Sequence, residues 1–209
     1  MTRTPEIDAD RLWDAHMRMA EIGPTPEGGS RRLALSAEDA TARALLLEWA
    51  APLGLSHVQD AIGNMFLRRA GRQPDAGAVA FGSHLDTVPT GGRFDGISGV
   101  LSGLEVMRAL HEAGVTTRVP LELVNWTNEE GSRFRPAMMG SRVHAGDMSL
   151  EAALAVTDDG GISVAQALQA TGQAGPLVPS PRGWAAWLEL HIEQGPVMEQ
   201  TGTDIGVVV

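Results

Sequence analysis

An α/β fold, a sheet held between layers of helix in three layers, is what this sequence predicts, and three observations predict it. Short apolar runs of strand character alternate along the chain with longer stretches of helical period. Turn-forming clusters of Gly, Pro, Asn and Asp separate them. Three of the apolar runs end in imidazole or carboxylate groups, namely His84 with Asp86, Glu129 with Glu130, and His191 with Glu193. Ligand sites in open α/β sheets gather at such carboxyl ends.

The elements follow in order. Ile7, Leu12, Met19 and Ile22, with Trp13 and Met17 beside them, read as an amphipathic helix with Asp8 or Asp10 in its first turn. Residues Gly23 to Arg32 are a Gly- and Pro-rich loop. Ser36, followed by Glu38 and Asp39, starts a second helix that runs to about Ala51 and is closed by Pro52 and Gly54. Leu55–Asp60 and Asn64–Arg69 are expected strands. Ala78–His84 is a buried strand, and helix returns from Ile97 to Ala113, with Val100, Leu101, Leu104, Met107 and Leu110 on one face. Val119–Trp126 is the next strand. Residues 137–180 hold three short helices, at Ala137–His144, Leu150–Ala155 and Ile162–Ala170. Trp184–Ile192 is expected as a strand, and Ile205–Val209 as a β-like run. No internal repeat or low-complexity tract is present.

Composition narrows the function classes. The 209 residues are 43% hydrophobic, enough for one sizeable core or a domain with an appendage. A net charge of −10 argues against nucleic acid as a partner, because phosphate neutralisation needs clustered Lys and Arg. No long block of like charge occurs, so the acidity is expected to spread over a solvated surface. With no cysteine, disulfides, thiolate zinc sites and cysteine nucleophiles are excluded together, leaving His, Asp and Glu as possible metal ligands. The N-terminal residues lack a signal-peptide core, and no apolar run approaches the roughly 20 residues of a membrane span. A soluble, cytoplasmic protein with no membrane partner is the expectation.

Other catalytic templates fail. Gly96-Ile97-Ser98-Gly99 misses the spacing of a nucleophile elbow, and His111-Glu112 lacks a second His at position 115, which is Val. His16, His57 and His144 have no acidic constellation and read as surface or structural residues; Trp184 and Trp187 read as core. The stretch Gly82–Val100 alone reads two ways, as a metal site or as a core strand followed by aspartates that make turns. The three acid- and imidazole-bearing strand ends together favour metal, and two imidazoles with several carboxylates exceed what one ion needs, so a two-metal site is the better reading.

Four ordered segments then resemble the amidase, hydantoinase/carbamoylase family: Gly82-Ser83-His84-Leu85-Asp86-Thr87, Gly92-Arg93-Phe94-Asp95-Gly96, Trp126-Thr127-Asn128-Glu129-Glu130-Gly131-Ser132-Arg133-Phe134 and His191-Ile192-Glu193-Gln194-Gly195-Pro196. That family contains N-carbamoyl-L-amino-acid hydrolases, β-ureidopropionases of the bacterial type and allantoate amidohydrolases, within the di-metal aminoacylases and carboxypeptidases. The resemblance implies a three-layer α/β/α sandwich around a mixed sheet, a di-metal exopeptidase-like catalytic domain. It implies two divalent ions per complete site, with Zn, Mn, Co or Ni all compatible. His84, Asp95 and His191 would hold one ion. Asp95 would bridge to a second, held by Glu130 and a His from later in the family's chain. Glu129 would be the general base, and Asp86 would hydrogen-bond His84 and fix its tautomer. Gln194 and Arg133 would be substrate contacts. The implied substrate is a small N-carbamoyl or ureido compound, with allantoate hydrolysis and a non-catalytic fragment as alternatives.

Chains of that family are much longer. Residues 1–209 correspond to the N-terminal part of the catalytic domain, and the lid and dimerisation domain, the rest of the catalytic domain and the last metal His have no counterpart. The implied homodimer is therefore not expected to form normally. A polypeptide ending at Val209 is expected to expose an apolar edge, to bind metal weakly and to turn over little substrate.

Overall fold

The structure, a computed structural model, describes residues 4–208. Its helices are α1 (Ala9–Ala20), α2 (Ala37–Ala50), α3 (Ile97–Glu112), α4 (Met139–Ala145), α5 (Leu150–Ala155), α6 (Val164–Thr171) and α7 (Val197–Thr201). Its strands are β1 (Ser56–Gln59), β2 (Met65–Arg69), β3 (Val79–His84), β4 (Leu121–Trp126) and β5 (Ala186–Leu188). They form one mixed sheet in the order β1-β2-β4-β3-β5. The β1–β2 and β2–β4 pairs are antiparallel, whereas β3 runs parallel to both β4 and β5. The α/β expectation holds.

Local chemistry explains the first elements. Asp8 caps α1 by accepting the Arg11 N–H at 2.9 Å, and Ser36 caps α2 through the Asp39 N–H at 3.2 Å. Asp60 closes the β1–β2 connection by accepting the Asn64 N–H at 2.8 Å and its side-chain amide at 2.9 Å. The parallel β3–β4 pair needs a crossover, which α3 supplies.

Alternation along the strands divides the core. Met65, Leu67, Leu121 and Leu123 face Met19 of α1, Leu46 of α2, and Val100, Leu104 and Met107 of α3. Helix α3 lies close on the sheet because residue 103 is Gly: a Cβ there would fall 2.6 Å from the Phe81 ring and 2.7 Å from Leu123. On the opposite face Phe66, Val124 and Trp126 form an aromatic patch with Trp184 and His144. His144 stacks on Trp184 at 5.0 Å and is structural, as expected. Trp184 is half-buried, but Trp187 is 36% exposed rather than core. A separate cluster of Leu35, Ile62, Phe134, Met139, Val164 and Leu168 holds α4 and α6 together.

Three expectations are corrected. The strand expected over Trp184–Ile192 is paired only at Ala186–Leu188, where it matches Val79–Phe81. Beyond it Glu189 accepts the Ser83 hydroxyl at 2.5 Å, and the chain leaves the sheet. The run from Ile205 is irregular and exposed through Val208, with no partner strand among the described residues; Val209 lies outside them. Helix α7 was not expected, and Glu193 caps it by accepting the Val197 and Met198 N–H groups at 3.1 and 2.9 Å. Nor is the acidity all at the surface. Asp39, Asp60, Asp86, Asp95, Glu105 and Glu122 are buried, each with hydrogen-bonding partners that make burial tolerable. No helix among the described residues is long and apolar enough to cross a membrane.

Candidate active site

His84 is the last residue of β3, and its side chain is 1% exposed. Its Nδ1 lies 2.8 Å from the backbone carbonyl of Asp86, an acceptor that requires Nδ1 to carry the proton. The expected clamp therefore comes from the main chain of Asp86. The carboxylate itself is 3.9 Å from Nδ1 and does different work: its two oxygens accept the N–H groups of Glu129 and Glu130, each at 3.2 Å. Asp86 thus ties the end of β3 to the turn after β4.

Nε2 of His84 is left facing the Glu129 carboxylate at 3.4 Å. His191, on the irregular segment after β5, repeats the pattern. Its Nδ1 lies 2.9 Å from the Ile192 carbonyl, and its Nε2 is 3.2 Å from Asp95 Oδ1. The two imidazoles are 5.9 Å apart. His84, Asp95 and His191 each offer a ligand atom, all within 4.8 Å of one another, the one such group among the described residues. A neutral imidazole with Nδ1 protonated would point a lone pair at a carboxylate oxygen, so each Nε2–carboxylate contact needs a proton or a cation. The donor set of imidazole nitrogen and carboxylate oxygen fits a divalent ion.

The electrostatics agree. Burial disfavours the His84 imidazolium, yet the carboxylates of Asp86 and Glu129 outweigh it and hold its pKa above the ordinary value. Burial pushes the Asp86 carboxyl up to about 6 despite the His84 charge. Burial also raises Glu130, which His84 offsets and the carboxylates of Asp95, Asp86 and Glu129 reinforce. Glu130 Oε1 accepts the Val88 N–H at 3.3 Å. Four carboxylates share this corner with two imidazoles, an imbalance that a bound cation relieves.

Backbone devices hold the corner in shape. Gly96, at φ +68°, lies against His84: a Cβ there would fall 2.3 Å from the imidazole. Asn128 adopts φ +52°, and its side-chain amide donates to the carbonyls of Phe134 at 2.7 Å and Pro136 at 3.3 Å, which closes the turn carrying Glu129 and Glu130. Sequence reading passed over Asn128, although Asn is the non-glycine residue that best tolerates this conformation. It also passed over Arg32, fully buried, which braces the Leu85 carbonyl at 2.8 Å.

The expected substrate contacts are otherwise engaged. Gln194 Nε2 donates to Asp95 Oδ2 at 2.5 Å. Arg133 stands apart from the cluster: it donates to the carbonyls of Ala34 and Leu35 at 3.0 and 2.7 Å, pairs with Asp158 at 3.1 Å, and lines a groove with Leu33, Ser36 and Ala40.

Comparison with known proteins places this geometry. Residues 80–208 match the model of peptidase family M20/M25/M40. An N-carbamoyl-L-amino-acid amidohydrolase of Rhizobium meliloti is 48% identical over 202 residues, covering 97% of this chain and 49% of the relative. A crystal structure of a hydantoinase/carbamoylase family amidase from Burkholderia ambifaria superposes with a TM-score of 0.92 at 52% identity, covering 95% of this chain and 48% of that one. A ureidoglycolate hydrolase of Arabidopsis thaliana is 35% identical, covering 97% of this chain and 44% of the relative. The chain spans about half the length of the curated relatives it matches. With its mixed sheet, its His–Asp–His cluster and these matches, the chain belongs to peptidase family M20/M25/M40 and resembles that family's hydantoinase/carbamoylase amidases.

Proposed function

We propose that this chain carries a metal-dependent hydrolytic site for linear, non-peptide C–N bonds, with the carbamoyl group of an N-carbamoyl-L-amino acid as its substrate. One observation carries the reading: two imidazoles that have spent Nδ1 on carbonyls aim Nε2 at carboxylate oxygens, at 3.4 Å for His84–Glu129 and 3.2 Å for His191–Asp95. His84, Asp95 and His191 would hold one divalent ion, and Asp95 with Glu130 would contribute to a second. Bound there, such an ion supplies Lewis acidity, which lowers the pKa of water and polarises a carbonyl.

The chain's own groups do the rest. Glu129 is partly exposed and outside the His–Asp–His trio, so with an ion on His84 Nε2, which now faces it at 3.4 Å, its carboxylate would be free to take a proton from attacking water. Asp86 fixes that base through the peptide N–H groups of Glu129 and Glu130. Hydrolysis would consume one water and release the amino acid, carbon dioxide and ammonia. Similarity to the Arabidopsis ureidoglycolate hydrolase supports a second reading, another ureido compound as substrate.

The test uses a chain completed to the relatives' length and a panel of N-carbamoyl-L-amino acids, allantoate and ureidoglycolate, each with Mn²⁺, Co²⁺, Ni²⁺ and Zn²⁺. Glu129→Gln should lose about 10²-fold or more in turnover while keeping its metal content. His84→Ala should lose the metal. Retention of most of the turnover by Glu129→Gln would sink the base assignment.

A further inference from the structure

Asp95 is held on both sides. Oδ1 faces His191 Nε2 at 3.2 Å, and Oδ2 accepts the side-chain amide of Gln194 at 2.5 Å. In the reading above, which this inference rests on and deepens, Oδ2 is the oxygen of Asp95 left for a second ion while Oδ1 faces His191. We propose that Gln194 is a gate on the second metal position: while its amide is on Oδ2, the corner takes one ion, and a second enters only when Gln194 lets go.

The backbone shows that the contact is built rather than incidental. Gln194 has φ +55°, a left-handed conformation that costs a non-glycine residue about 1 kcal/mol and persists only where the surroundings impose it. They do so from both sides. The preceding Glu193 is anchored by accepting the N–H groups of Val197 and Met198 at 3.1 and 2.9 Å. On the other flank His191 is tied to the Ile192 carbonyl at 2.9 Å and to Asp95. Between these anchors the side chain of Gln194 is directed at the carboxylate. An amide that donates to a carboxylate must be displaced before a cation can use the same oxygen, and a neutral donor on Asp95 leaves the first ion's ligands intact.

The experiment titrates the full 209-residue chain, metal-free, with Co²⁺ alone, followed by calorimetry and visible absorption. Wild type should bind a second ion more weakly than the first. Gln194→Leu, which keeps bulk but cannot donate, should bind the first ion as wild type does and the second about tenfold more tightly, the scale of one hydrogen bond to a charged group. Unchanged second-ion binding in Gln194→Leu would overturn the gate, as would loss of the first ion in that variant. If His84→Ala binds the first ion like wild type, the metal reading itself fails, which is a separate outcome. Should Gln194→Leu not fold, wild type still decides: the Gln194 side-chain amide protons should exchange slowly through the first equivalent of Co²⁺ and become free with the second. Indifference to the second equivalent overturns the proposal.

Discussion

At the scale of single residues, backbone shape and burial decide what the chemistry can be. Gly96 is needed for both its positive φ and its lack of a Cβ, since His84 fills the space a side chain would take. Gly96→Ala should push the imidazole out of place and weaken Co²⁺ binding by about tenfold or more, measured by calorimetry, with circular dichroism showing the fold retained. Asp60 gives a pH signature away from the site. Burial raises its carboxyl from 3.8 to about 6, against hydrogen bonds from Asn64, Ile62 and Gly63 that lower it. Below about pH 4 the group is neutral in folded and unfolded chains alike; between about 4 and 6 only the folded chain holds the proton. Its contribution to stability therefore falls as pH rises through that window. Asp60→Asn should show a shallower decline in urea-unfolding free energy from pH 4 to 6 than wild type. An unchanged slope would refute this. His84, Glu129 and Glu130 were legible from residue type at strand ends, and Asp95 as a carboxylate in the loop that follows; Asn128 and Gly96 act through backbone angles that residue type only hints at.

At the scale of elements, buried polar ties join helices to the turn that carries Glu129 and Glu130. Arg43, 1% exposed on α2, pairs with Asp39 at 3.1 Å and donates to the Gly63 carbonyl at 2.6 Å and the Thr127 hydroxyl at 3.2 Å. One helix thus braces the β1–β2 connection and the residue two before Glu129. Arg43→Met leaves Asp39 buried and unpaired, and should destabilise the chain by about 3–5 kcal/mol in urea denaturation. Adding Asp39→Leu should recover part of that loss. The helical and strand patterns of α1, α2, α3, β3 and β4 were readable because each buries one consistent face. The segment from Trp184 was not, because its apolar residues suggest a longer strand than the Val79–Phe81 edge pairs with.

At the scale of the molecule, two sheet ends and one irregular segment converge. His84 comes from β3, Glu129 and Glu130 from the turn after β4, and His191 from beyond β5. An ion held by residues so far apart in sequence binds the folded chain and not the unfolded one, so it should stabilise the whole fold. At a free Co²⁺ concentration 100 times its Kd the gain is about 2.7 kcal/mol, a rise in Tm on the order of 5–10 °C by differential scanning fluorimetry. His84→Ala should show no rise. The apolar surface of this end is also open: Leu188 is 57% exposed, Val197 60% and Ile205 83%.

The sequence by itself determined the fold class, the alternation of elements and the identities of the ionisable groups at strand ends, because burial periodicity and residue chemistry are local. Only the tertiary structure decided which atoms meet. It turned Asp86 away from the imidazole toward two peptide N–H groups, tied Arg133 to the Ala34 and Leu35 carbonyls, and set Gln194 on Asp95. These outcomes depend on strand register, on left-handed backbone at Asn128 and Gln194, and on distances across more than forty residues of chain, as between Asp86 and Glu129. No local pattern encodes such distances.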